Sequence, residues 1–309
     1  MRYRVTIEPQ TPFGSLLLGE TLFGQLCWAV RFQQGNDRLE ELLEGYVEGR
    51  PFAVVSDAFP QGFLPLPALP VSFWQEAPEG DRKALKAKRW VSEETLLKTP
   101  PVQWRNWARS DNEIQGQGRG SYAADGVQAH NTISRQTSTT GKNEFAPFKS
   151  SQTWFATGCL FDIYVVTDDN QFSEEELWEA LEFVGQTGFG RDASVGLGKY
   201  ALKAIARVED PRPGKVFLAL ASSFPGEDRP IRMWYRVKTH FGRHGAMAAV
   251  GPNPFKKPLL LAERGAVYEF EKVKSLEFVG KGILGTSLSD PKAVHQGYAP
   301  VISLTELNV

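Results

Sequence analysis

The sequence has 309 residues and a formal charge of −1, with 41% hydrophobic and 23% charged residues. That balance excludes a disordered chain and a globally basic nucleic-acid binder, while a local basic patch stays open. Two cysteines exclude a disulfide framework, and the length suits two domains at a soft ~150 residues each.

Tyr3, Val5 and Ile7 alternate with Arg2, Arg4, Thr6 and Glu8, which predicts a half-buried strand. This start lacks the apolar core of a signal peptide, and no run reaches the ~18 apolar residues of a membrane span. A soluble, cytoplasmic protein without membrane attachment is expected. Leu22, Phe23, Leu26, Cys27 and Val30 recur at helical spacing and predict an amphipathic helix over 20–33. Asp37 to Glu40 reads as a capping box for a second helix with Leu39, Leu42, Leu43 and Tyr46. A short apolar strand follows at 51–55. Pro60, Pro65, Pro67 and Pro70 then interrupt regular structure.

Residues 57 to about 152 read as a long insertion with little core of its own. Arg82, Lys83, Lys86, Lys88 and Arg89 form a basic cluster beside Trp90, and Trp104, Arg105, Trp107 and Arg109 interleave rings with guanidiniums. Gly116, Gly118, Gly120 and Gly126 form a glycine-rich stretch, and a polar hairpin is expected to protrude over 137–149.

A long strand is predicted over 154–166. Ser173 to Glu176 forms a capping box ahead of Leu177, Trp178, Leu181 and Val184. A glycine-rich loop runs from Gly188 to Gly198, and a strand follows over 200–205. Without the insertion, the order is that of a ferredoxin-like βαββαβ unit. After Pro211 and Pro213 the pattern turns to strands at 216–221, 231–240, 259–262, 267–270, 274–279 and 298–303. An α+β protein is expected, with domains over 1–208 and 214–309.

The loop carries the clearest chemical signal. Gly188, Gly190 and Ala193 match a dinucleotide fingerprint, but a helix precedes and a strand follows, which is the reverse of what that fingerprint needs. Two readings remain. Gly188, Gly190, Gly196 and Gly198 let backbone N–H groups approach a phosphate, with Arg191 and Lys199 for charge and Ser194 for a hydroxyl. Alternatively, they only allow a tight helix-to-strand connection. His130, Asn131, Ser134 and Arg135 suit contact with single-stranded bases, or else an ordinary surface loop. The basic cluster is either a phosphate contact or a solvated charged face. Cys27 and Cys159 read as small buried hydrophobes. His240 and His244 would pair on a metal only in a helix, which Gly242 and Gly245 oppose, so neither metal nor cofactor is expected.

Six stretches together resemble a known family: 19–28, 56–60, 63–67, the His130, Asn131 and Arg135 segment, the 188–198 loop, and 296–300. They resemble the RAMP superfamily of CRISPR proteins and, within it, the fourth-subunit family of type III-A Csm complexes. The resemblance implies two ferredoxin-like, RRM-like domains, a thumb-like hairpin in the insertion, and binding of the 5′ repeat-derived tag of the CRISPR RNA. It also implies docking of the large polymerase-nuclease subunit and a backbone RAMP subunit, without catalysis. By position, Gly188, Gly190, Arg191, Ser194, Gly196, Gly198 and Lys199 match the family's RNA-cradling loop. Thr21, Phe23 and Gly24 match its helix-start motif, and His130, Asn131 and Arg135 the segment leading into the thumb. Glu20 stands where the family commonly has Asp. Lys83, Lys86, Lys88 and Arg89 are candidates from the residues alone. The acidic stretch Asp37–Glu48 is a candidate protein-facing surface of such a subunit. Two rivals remain: a RAMP endoribonuclease using His130 or Asp57, and a protein-only adaptor.

Overall fold

The computed structural model describes residues 1–75, 82–114, 121–209, 212–225 and 228–307. Strand β1 (Arg2–Pro9) buries Tyr3, Val5 and Ile7 as its alternation requires. Helix α1 (Gly19–Gln34) buries Leu22, Phe23, Leu26, Ala29 and Val30 along one stripe. Helix α2 (Asn36–Leu43) starts without the expected capping box. Its N-cap is Gly35, at φ 96°, and Asn36 Nδ2 bonds Glu40 Oε1 at 2.8 Å instead.

Next come β2 (Ala53–Pro60), β3 (Phe63–Pro65), α3 (Arg82–Ala87), β4 (Trp90–Ser92), α4 (Glu93–Lys98), α5 (Trp104–Trp107), β5 (Ala123–His130) and β6 (Phe148–Phe155). This stretch is better packed than its composition suggested. Trp90, Val91, Leu96 and Trp104 are buried in the main core. The glycines at 116, 118 and 120 lie outside the described residues. The strand expected over 154–166 is broken: β6 ends at Phe155, the chain turns through Gly158 at φ 74°, and β7 (Phe161–Thr167) begins. Helix α6 (Glu174–Thr187) opens with the predicted capping box. Ser173 Oγ accepts from Glu176 N, and Glu176 Oε2 accepts from Ser173 N. Strand β8 (Tyr200–Arg207) closes this part.

The remaining strands are β9 (Gly214–Ala219), β10 (Arg232–Trp234), β11 (Val237–His240), β12 (Leu259–Ala262), β13 (Val267–Lys274), β14 (Phe278–Ile283) and β15 (His295–Leu304). The strand predicted over 231–240 is therefore two strands, and they belong to different sheets.

The first sheet has the order β2-β7-β1-β8, antiparallel throughout. The second has the order β10-β13-β9-β15-β14, also antiparallel. Without its edge strand β14, the second sheet repeats the 2-3-1-4 order of the first. Where the first has α1 and α6, the described residues of the second have a loop and β14. Helix α1 packs on β2 and α6 and also touches β15, so it belongs to both halves. Along 216–221 the side chains alternate between cores. Val216, Leu218 and Leu220 join the main one; Phe217, Ala219 and Ala221 join a second. A strand buried on both faces reads as an unbroken apolar run. No helix among the described residues is long and apolar enough to cross a membrane.

The halves meet at the outer edge of β2. The Gln296 side chain, fully buried on β15, accepts from Val55 N and donates to Val55 O, both at 2.8 Å. Asp57 N donates to Leu220 O at 3.0 Å. Asp57 Oδ1 accepts from Gly19 N, and Oδ2 from Arg264 Nη1, each at 2.8 Å. Gln296→Ala leaves a buried N–H and C=O unpaired, so a loss of about 2–4 kcal/mol in unfolding free energy is expected. Urea denaturation checks this, and an unchanged midpoint would contradict it.

Candidate nucleic-acid interface

The loop after α6 is held by close backbone packing. Gly188 caps the helix at φ 99°, its N–H bonded to Val184 O. Phe189 turns inward and is fully buried, and its N–H bonds Gly198 O. A Cβ on Gly198, at φ 74°, would lie 2.1 Å from Phe189 O; one on Gly188 would lie 2.5 Å from Leu197 O. Gly190 meets Ser15 at 2.9 Å in the same test. The loop is also stitched to the segment after β1. Arg191 N donates to Ser15 Oγ, Gly198 N to Pro12 O, and Lys199 N to Thr11 Oγ1. Three of the four glycines therefore serve packing, in line with the tight-connection reading. Gly196, at φ 96°, faces open space. Around it Arg191, Ser194, Val195 and Lys199 are exposed. The phosphate-cradling reading thus narrows to the loop's crest.

Beside the loop stands the ribbon of β5 and β6. Its pairs run from Ala123↔Phe155 at the root to His130↔Phe148 at the far end, a span of ~24 Å. The tip, 131–147, contains the polar stretch expected to form the hairpin itself. At the root Phe155 packs against Phe13 and Phe161, with ring centroids 5.4 and 5.0 Å away. One face carries a ladder. His130 stacks on Phe148 at 5.0 Å and 12°, Gln152 Nε2 donates to Gln128 Oε1, and exposed Trp154 lies over Gly126. Gln152 and Ser150 are buried on this face, so Trp154, Phe148 and Gln128 are its exposed groups, and exposed rings suit contact with unpaired bases. Asn131 and Arg135 are exposed just beyond it. Loop and ribbon form one surface: Asp192 Oδ2 accepts from Ser150 Oγ at 3.2 Å, and the Arg191 guanidinium donates to Ser151 O. A cleft of about 290 Å3 opens between residues 8–12 and Trp154.

The other candidates lie elsewhere. Phe23 is a core residue, packed 4.8 Å from Tyr46 and 5.8 Å from Phe52, so its ring offers nothing to a ligand. Thr21 and Gly24 are half-buried on α1. In the basic cluster Lys83 and Lys86 are exposed on α3. Lys88 Nζ donates to Asn106 O at 2.8 Å, and Arg89 pairs with Asp111 at 3.4 Å. Those last two are thus tied within the insertion. Asp57 has both oxygens engaged at the junction. Burial pushes its carboxyl up, and the Arg264 guanidinium opposes that. No carboxylate or hydroxyl among the described residues bonds the His130 ring. Every residue of β7 is buried, Tyr164 included, so this central strand of the first sheet presents no RRM-type ring to solvent.

One charged group escaped the sequence reading. Glu20, with no exposed side-chain surface, accepts from Lys238 Nζ at 2.6 Å and lies 3.2 Å from His240 Nδ1. Burial would raise its carboxyl, but the His240 N–H and the Lys238 ammonium outweigh that and hold it at about 2. The His240 ring is 4.9 Å from that of His295, whose pKa falls to about 3 through burial and the neighbouring His240 and Lys256. The available signal was two polar residues, Lys238 and His240, in phase on one strand face.

No protein-family model matches the sequence, and no curated protein does. Among solved structures, a chain of a Csm1–Csm4 cassette in complex with pppApA aligns with a TM-score of 0.59 and 15% identity, over 99% of this chain and 98% of that one. A cassette with cA4 gives the same values. A chain of the Csm3–Csm4 subcomplex of a type III-A CRISPR-Cas interference complex aligns with a TM-score of 0.60 and 12% identity, over 99% of this chain and 100% of that one. At these identities the likeness is one of fold.

Two outcomes test this geometry. Gly198→Ala forces a Cβ into backbone and should prevent stable folding, whereas Gly196→Ala should cost only ~1–2 kcal/mol for its positive φ. Thermal melts separate the two, and equal losses would contradict the packing assignment. The second outcome concerns pH. Unfolded His295 takes up a proton near 6.5, while the folded state resists until about 3. The unfolded state binds more protons in that window, so stability should fall as pH drops through it. Glu20 adds a second loss as pH falls from 4.5 towards 2. Urea midpoints against pH should show both limbs, and His295→Gln should flatten the upper one.

Proposed function

We propose that this chain is a Csm4-like RAMP subunit of a type III CRISPR ribonucleoprotein, acting in the cytoplasm in RNA-guided antiviral defence. It holds the 5′ repeat-derived tag of the CRISPR RNA and bridges the large polymerase-nuclease subunit to the backbone subunits. The continuous surface of loop crest and ribbon carries this reading. Exposed cations at Arg191 and Lys199 flank open backbone at Gly196, and Trp154, Phe148 and His130 present rings alongside. Backbone contact to phosphates with stacking of splayed bases is how single-stranded RNA is commonly held.

Two further observations support it. The 2-3-1-4 order recurs in both sheets, as in two ferredoxin-like halves of which the second, among the described residues, has a loop and β14 in place of the two helices. The solved structures of similar fold are chains of Csm1–Csm4 and Csm3–Csm4 assemblies, which supports these two partner classes. A non-catalytic role accords with Asp57 sealed in the junction and His130 stacked rather than oriented by an acid.

The test is purification of the tagged chain from cells expressing the whole CRISPR locus, with co-purifying RNA and protein sequenced. Small RNAs sharing one 5′ tag should appear with the other effector subunits. Lys199→Glu combined with Trp154→Ala should lower RNA retention at least about tenfold while the melting curve stays unchanged, since base stacking alone contributes ~1–3 kcal/mol per base. Protein partners without RNA would favour the adaptor reading instead. RNA cleavage abolished by His130→Ala would favour the endoribonuclease.

A further inference from the structure

The excursion between β11 and β12, residues 241–258, has a one-sided composition. It contains Arg243, His244, Lys256 and Lys257 and no acidic residue. It also exposes Phe241, Met247, Val250 and Phe255, each between 65% and 84% accessible. Scattered exposed apolar residues are ordinary; four within one short excursion mark a contact surface. The excursion folds back on α1, where Gly245 lies so close to Trp28 that a Cβ would be 3.0 Å from its Nε1. Between them opens a cleft of about 460 Å3, lined by Trp28, Arg31, Phe32, Met247 and Ala248.

The α1 wall consists of residues at i, i+3 and i+4. Such a stripe forms a groove along the helix axis that accepts a second helix. The charged groups beside it are cations held on ring faces. The Arg31 guanidinium lies 5.1 Å from the Trp28 ring, and Arg243 lies 5.6 Å from that of Phe255. Neither forms a salt bridge among the described residues, and the carboxylate that acts on Arg31, Glu40, is bonded to Lys292. We propose that this cleft docks an acidic amphipathic helix of a protein partner, with apolar anchors between Trp28, Phe32 and Met247 and carboxylates on Arg31 and Arg243. Within the cleft Met247 and Ala248 give bases nothing to stack on, Arg31 covers the Trp28 ring, and Phe32 packs against Trp28 and Phe183, so the cleft suits a helix better than RNA. This inference does not depend on the RNA-binding reading.

The probe is a fluorescein-labelled peptide of about 18 residues, with Leu at i, i+3, i+4 and i+7 and Glu at most other positions. A twin carries Lys in place of Glu. Anisotropy on the full chain should give a Kd on the order of 10 μM for the acidic peptide. The Lys twin should bind at least about tenfold more weakly, because it sets cations against Arg31 and Arg243. Met247→Asp and Arg31→Glu, both at exposed positions, should each weaken the acidic peptide at least about tenfold without changing the melting curve. Val250→Asp provides a second surface variant should either destabilise the fold. Equal binding of the two peptides, or no binding of the acidic one at about 1 mM, would overturn the proposal. Displacement of the acidic peptide by a short oligoadenylate would also overturn it, marking the surface as a nucleic-acid site.

Discussion

A single side-chain amide closes the edge on which the two halves meet. Val55 on β2 presents an N–H and a C=O to the junction, where water is excluded. Left unpaired, each would cost about as much as a lost buried hydrogen bond. Gln296 has one donor and one acceptor in the required geometry and satisfies both. It acts as one rung of a strand that is not there, so the sheets abut without merging. Asp57 reinforces the same edge through Leu220, Gly19 and Arg264. Removing either partner of that buried ion pair would leave an isolated charge, which is far more costly than the pair is stabilising.

Closing the junction in this way determines where a ligand can bind. The second half covers one flank of the first, and β7 ends up buried on both faces. Among the described residues β7 thus offers no flat RRM-type platform, and the glycine loop and the ribbon present the accessible surface. The segment after β1 connects these two. It bonds the glycine loop through Thr11, Pro12 and Ser15, and it bonds β6 through Phe13 and Thr153. Loop crest and ribbon are in this way held as one surface, while the apolar cleft on α1 faces another set of contacts.

Local chemistry was legible where it dominates folding. The alternation in β1, the stripe of α1 and the capping box at Ser173 all stand where periodicity and hydrogen-bonding capacity put them. The loop's need for positive φ was legible too, because glycine is the default residue there. What each glycine does was not. Gly188, Gly190 and Gly198 answer to Leu197, Ser15 and Phe189, and only Gly196 is open. Likewise Phe23 fits a surface motif and an apolar stripe equally well, and only packing against Tyr46 and Phe52 decides between them.

The sequence by itself determined the element types, the strand–helix rhythm of the first half and the stretches that resemble a RAMP protein, because these depend on neighbours a few residues apart. Tertiary structure alone decided that Glu20 meets Lys238 and His240, that Gln296 seals Val55, and that Trp154 shares a surface with Lys199. Those contacts join residues far apart in the chain. Their energies come from desolvation and exact partner geometry, and neither is expressed in local spacing.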